Sequence, residues 1–104
     1  MNRTLLLAAL VAILPLGAIA QDAAKAMMDA DHKMMEAMHA VKITGDADKD
    51  FVAMMIPHHQ GAIDMAKVEL QFGKDPEIRA LAEAIVKAQE QEIAEMKAWQ
   101  AAHP

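Results

Sequence analysis

Cysteine is absent from this chain of 104 residues, and so are serine and tyrosine. Without cysteine there is no disulfide to staple a small exported domain and no thiolate to serve as nucleophile or metal ligand. Without serine, Thr44 is the one hydroxyl side chain beyond residue 20. It falls in a turn with no histidine fixed beside it in sequence, so nucleophilic catalysis has no support. Aromatics are limited to Phe51, Phe72 and Trp99, too few for a base-stacking platform, and the formal charge of −5 repels phosphate. Nucleic acid is therefore not expected as a partner, since the counterion release that drives such binding is missing. Strand signals are also lacking.

The first twenty residues read differently from the rest. Arg3 precedes the apolar run Leu5 to Leu14, and Ala18-Ile19-Ala20 supplies a small-x-small cleavage pattern. Pro15 and Gly17 interrupt the run before it reaches the roughly 18 apolar residues of a membrane span. Residues 1–20 are thus expected to be a signal peptide and residues 21–104 a Met/His-rich helical metal-binding domain, periplasmic or secreted, with no membrane association after cleavage. The loss of Arg3 leaves 15 acidic and 9 basic residues, so the net charge moves from −5 to −6. A chain this short buries a small fraction of its surface, and with disulfides closed to it, self-association or a bound metal is the expected support.

Alanine, methionine, glutamate, lysine, glutamine and leucine dominate beyond residue 20, and all lose little free energy in a helix. Three helices are predicted. The first runs from about Asp22 to Ala40, ahead of the turn Thr44-Gly45-Asp46. The second starts between Asp46 and Asp50 and ends at Phe72, with Gly73 as its stop. The third opens with Asp75 as cap and Pro76 at the first helical position, and runs to Ala101. Its stripe Ile78, Leu81, Ala82, Ile85, Ala88, Gln89, Glu92, Ile93, Met96 and Trp99 has the helical period. The short Gly73-Lys74 link folds it back on the second helix as an antiparallel hairpin.

Methionine is what the chain has in excess: ten residues, nine of them after residue 20. In the first helix Met28, His32, Met35 and His39 recur at four, three and four residues, placing two thioethers and two imidazoles on one face. Met27, Asp31, Met34 and Met38 form a stripe beside it. Any single methionine is adequately explained as a core filler, because it is unbranched and polarisable. The set is not, since the first helix is Met-rich over more of its circumference than one core face needs. Thioether sulfur is soft and selects Cu(I) or a similar ion. In the second helix Met54 stands four residues before His58 and Met55 four before His59, so the adjacent imidazoles each have a thioether neighbour, and Met65 lies seven beyond His58. Pro57, inside this helix, removes one backbone hydrogen bond and is a candidate for a kink that aims the pair.

The run Phe51 to Ala66, with Met-Ile-Pro-His-His-Gln-Gly-Ala-Ile-Asp-Met-Ala at its centre, closely resembles the signature of domain of unknown function 305 (DUF305), the CopM-like family. Gly73 to Ile78, Ile85 to Ile93, Met96 and Trp99 are similar to it as well. The resemblance implies a ferritin-like helical bundle in the bacterial periplasm or cell envelope, bound to copper or silver and linked to metal tolerance. It makes Met54, Met55, His58, His59 and Met65 the first candidate ligands. Gln89, Glu92 and Met96 are then expected to face them across the hairpin, as ligands or as partners that orient the imidazoles. The Met28, His32, Met35, Met38 and His39 segment resembles metal-loading segments of some members. A homodimer that shares helices would complete a four-helix bundle.

The expected function is binding of Cu(I) at methionine-rich sites and Cu(II) at histidines, for sequestration, tolerance or trafficking, with copper efflux or chaperone proteins as partners. Two other classes compete. A di-metal oxidoreductase of the ferritin-like kind would use Glu-x-x-His pairs, and Glu36-Ala37-Met38-His39 has that spacing. The second helix, however, has methionine rather than glutamate beside His58. His58-His59-Gln60 also lacks the His-Glu-x-x-His arrangement of a zinc hydrolase, so a binding protein is preferred to an enzyme. A structural or chaperone-like hairpin with an adaptable methionine surface would leave four histidines unexplained. His103, beside Pro104, is read as a solvated tail residue without a role.

Overall fold

A computed structural model of the chain describes residues 11–13 and 15–104. Those residues form three α-helices, α1 (Leu16–His39), α2 (Ala47–Phe72) and α3 (Pro76–Ala102), with no strand among them. The all-helical expectation holds. Arg3 and most of the apolar run behind the signal-peptide reading lie outside the described residues. No helix among the described residues is long and apolar enough to cross a membrane.

Local chemistry sets most of the boundaries. Asp46 caps α2 by accepting the backbone N–H of Lys49 at 3.1 Å. Asp75 caps α3 by accepting the N–H groups of Glu77 and Ile78, each at 3.0 Å, and Pro76 follows where a missing N–H costs nothing. Between α1 and α2, Asp50 reaches back over the turn. Its Oδ1 accepts the backbone N–H and the hydroxyl of Thr44, both at 2.8 Å, and its Oδ2 accepts the N–H of Gly45 at 2.9 Å. The Thr44 backbone N–H foremost, then its hydroxyl, hold the Asp50 carboxyl below the usual carboxylate range. Gly45 sits at φ +89°, a conformation that L side chains rarely adopt.

Two boundaries differ from expectation in an informative way. The first helix begins at Leu16, not Asp22: Pro15 takes an extended conformation as the N-cap, and Leu16 to Gln21 contains enough helix formers to extend the helix back to it. Gly73 ends α2 as expected, yet at φ −69° and ψ 152° it is extended instead of left-handed. Close approach is what demands glycine there, since a Cβ would lie 2.6 Å from the Glu69 carbonyl oxygen. Arg79 then ties the hairpin by donating to the carbonyls of Leu70 at 2.8 Å and Gly73 at 3.0 Å, groups that a helix end leaves without partners.

The central helix is α2, with α1 on one flank and α3 on the other. Among the described residues α1 and α3 bring no Cα atoms within 8 Å of each other. Ile63, 2 % exposed, anchors a small core with Val52, Ala66, Ala82 and Ala30. The α1–α2 contact is closest where the Met34 side chain lies over Gly61, so that a Cβ at Gly61 would stand 2.7 Å from the Met34 Cβ. Antiparallel register from that point carries the residues ahead of Ala23 past the Phe72 end of α2, and residues 15–22 other than Ala18 are exposed. The helix runs on through Pro57, which lies with Ile56, Gln60 and Gly61 beneath Met34 and Ala37. The α3 stripe is covered only in part: Ile78 and Leu81 stay 48 % and 54 % exposed.

Candidate metal centre

Antiparallel pairing of α2 with α3 brings His59 opposite Glu92, although 33 residues separate them. Around this pair the hairpin forms an open cleft of about 470 Å³ lined by Phe51, Met55 and His59 from α2 and Glu92, Glu95 and Met96 from α3. Each helix contributes at one-turn spacing: Phe51, Met55 and His59 step by four residues, and Glu92 stands four before Met96.

The state of His59 decides what the cleft can do. Its side chain is 15 % exposed and its Nε2 pairs with Glu92 Oε2, while Glu92 itself is 52 % exposed. Its Nδ1 is buried and meets no hydrogen-bond partner among the described residues. A carboxylate on Nε2 favours the tautomer in which Nε2–H donates, leaving the lone pair on Nδ1. A buried polar atom without a partner is costly in an otherwise satisfied interior. An imidazole backed by a carboxylate through one nitrogen, with the other nitrogen free, is the arrangement that metal-ligating histidines adopt. The donors fit a soft ion: two thioethers, Met55 and Met96, and one imidazole. Among the described residues no three His, Asp or Glu side chains gather to hold a metal, so a centre here depends on the methionine sulfurs.

The other expected ligands separate. His58 is exposed on the adjoining face, its ring 6.2 Å from that of His59 at 60°. Met54 is half-buried and does not line the His59 cleft. Met65 lines a different, apolar cleft of about 290 Å³ with Ala62, Ala66, Ile78, Leu81 and Ile85. On α1 the Met28, His32, Met35 and His39 face is turned to solvent, with Met28 52 % and Met35 40 % exposed. Of the neighbouring stripe, Met34 and Met38 are half-buried and pack beside buried Ala30, while Met27 stays exposed. None of these α1 residues reaches the His59 cleft. Gln89 is half-buried on α3 and does not line it either.

Sequence reasoning missed Glu95 and Phe51 as cleft residues, although Glu95 lies three residues beyond Glu92 and Phe51 four before Met55, spacings that put them on the same faces. His103 is exposed, as the tail reading expects, but it is not without contacts. Its ring stacks on Trp99 with centroids 4.3 Å apart and an interplanar angle of 14°, and its Nδ1 pairs with the Trp99 carbonyl oxygen at 2.7 Å.

The model of a family described as "Domain of unknown function (DUF305)" matches residues 16–100, which take in α1, α2 and nearly all of α3. Over 49 residues the chain is 47 % identical to an uncharacterized protein, L153, of Acanthamoeba polyphaga mimivirus. That match covers 47 % of this chain and 32 % of the viral protein, so the chain aligns with about a third of the length of this relative.

Proposed function

The chain belongs to the DUF305 family, and from the chemistry of the α2–α3 cleft we propose that it is a copper-binding protein of the CopM-like kind. It holds Cu(I), or silver, for sequestration, tolerance or trafficking, and carries out no catalysis. The observation that carries the reading is His59, whose Nε2 pairs with Glu92 and whose buried Nδ1 has no partner among the described residues, in a cleft that Met55 and Met96 also line. Met55, His59 and Met96 would hold the ion, and Glu92 would orient the imidazole. Copper bound there gains soft thioether donors, which oxygen-rich iron sites do not use.

The exposed α1 face extends the same chemistry. Met28 and Met35 do little core filling at 52 % and 40 % exposure, so their placement with His32 and His39 supports capture of further ions from solution. Export to the periplasm through residues 1–20 belongs to this proposal. Residues ahead of Ala23 project beyond the packed helices, so cleavage after Ala20 removes little packing. A ferritin-like bundle is the architecture proposed for the assembled protein.

The test is anaerobic titration of the purified protein with Cu(I) against a competing chelator, with native mass spectrometry to count ions. Binding that falls on joint replacement of Met55, His59 and Met96 by Leu, Ala and Leu supports the cleft. An unchanged isotherm in that triple variant removes the cleft from consideration, and no binding by the native chain ends the copper reading.

A further inference from the structure

The α2–α3 hairpin leaves large apolar side chains uncovered, with Glu69 at the edge of one apolar cleft and Asp48 and Glu95 beside Phe51. Phe51, 59 % exposed, stands out from it near one end. Near the other end opens the cleft lined by Ala62, Met65, Ala66, Ile78, Leu81 and Ile85, where Ile78 and Leu81 are about half exposed. Along α2, Phe51, His58 and Met65 recur every seven residues and so share one stripe.

We infer that two copies of this chain pair hairpin to hairpin about a twofold axis that passes His58, seating Phe51 of each copy in the apolar cleft of the other and bringing the two His58 imidazoles together as an interchain metal site. Symmetry carries the choice of occupant. A twofold interface is self-complementary, so a protruding group and the hollow that receives it lie at equal distances on opposite sides of the axis. Phe51 and Met65 lie seven residues to either side of His58, roughly 10 Å each way at 1.5 Å per residue. An antiparallel copy centred on His58 therefore sets Phe51 over the Met65 cleft at both ends. The area is sufficient too. Helices of 26 and 27 residues run roughly 40 Å, and two side by side span roughly 20 Å, giving about 800 Å² per partner, the size of a standard stable interface.

The pairing also gives His58 a use. Within one chain it is exposed, and no three His or carboxylate groups gather around a metal among the described residues. Two imidazoles at the axis form a nitrogen site that one chain lacks, suited to Zn(II) or Cu(II) rather than to a thioether-loving ion. The axial site uses His58 and not His59; Phe51 also lines the His59 cleft, so the pairing covers an edge of that cleft, but it does not require copper there.

Sedimentation equilibrium of the purified full chain, first with chelator and then with Zn(II), tests both parts. The native chain is expected to be a dimer at micromolar concentration and to tighten at least tenfold with Zn(II). Leu81→Glu, outside the His59 cleft, is expected to give a monomer that keeps its helical circular dichroism and its Cu(I) isotherm. His58→Ala is expected to keep the metal-free dimer and lose the Zn(II) response. A native chain monomeric at 100 µM with and without Zn(II), or a dimer indifferent to Leu81→Glu, overturns the pairing. A Zn(II) response that survives His58→Ala overturns the site at the axis. Failure of Cu(I) binding with dimerisation intact would overturn the copper reading alone.

Discussion

Glu92→Gln separates an orienting role from a ligating one. The substitution keeps the shape of the side chain and an oxygen that can accept from His59 Nε2–H, and removes the charge. Partners that orient a metal-ligating histidine are worth roughly 10–100-fold in metal affinity. Glu92 is 52 % exposed on its side-chain surface, so solvent screens its charge. The expected loss is therefore at the lower end, about 10-fold, or about 1.4 kcal/mol at 25 °C. The assay is competitive Cu(I) titration of the native chain, Glu92→Gln and His59→Ala in parallel, with circular dichroism to check that each remains helical. His59→Ala removes the donor itself and should cost more than Glu92→Gln. Equal losses for the two variants would make Glu92 a ligand in its own right. A Glu92→Gln isotherm within twofold of native beside a large His59→Ala loss would refute the orienting role and the tautomer assigned from it.

Three further outcomes are expected. Gly61→Ala would gain about 1 kcal/mol on helix propensity alone, but its Cβ would meet the Met34 Cβ at 2.7 Å. The net effect should be a loss of about 1–3 kcal/mol, read as a lowered thermal midpoint; a raised midpoint would show that α1 does not pack where described. Asp50, whose folded carboxyl titrates below the usual range, stabilises the α1–α2 turn fully above the unfolded value near 4. That stability is lost as pH falls through the lower folded value, so Asp50→Asn should abolish this component of acid destabilisation in pH-dependent unfolding followed by circular dichroism. Acidification should weaken Cu(II) capture more than Cu(I) capture, because an imidazole must be neutral to bind whereas a thioether does not protonate; parallel chelator competitions at pH 7 and 5 compare the two ions directly, and equal losses would argue against thioether ligation.

Much was legible from residue order because it depends on neighbours a few positions apart. Helix-forming composition, the Asp46 and Asp75-Pro76 caps and the Gly73 stop each act within one turn, and three helices followed from them. The start of α1 at Leu16 is not legible in that way, because a signal sequence can be helical as readily as a mature one and residues 16–20 carry no boundary signal ahead of Asp22. The methionine and histidine spacings likewise marked out which residues share a stripe. They did not say which stripe meets a neighbour: on α1 the Ala30, Met34 and Met38 side packs, and the Met28, His32, Met35 and His39 side faces water.

By itself, then, the sequence determined the class of the protein, its helices and a supply of soft donors, all of which rest on short-range chemistry. Tertiary structure alone decided which donors meet. His58 and His59 are adjacent in the chain, but successive residues of a helix point about 100° apart, so packing against α3 turns one inward to Glu92 and leaves the other exposed. Register across the hairpin, set by the turn at Gly73 and by how Ile63 and Ala82 bury, is a long-range property; it chose Met55 and Met96 for the cleft and sent Met65 to the apolar one.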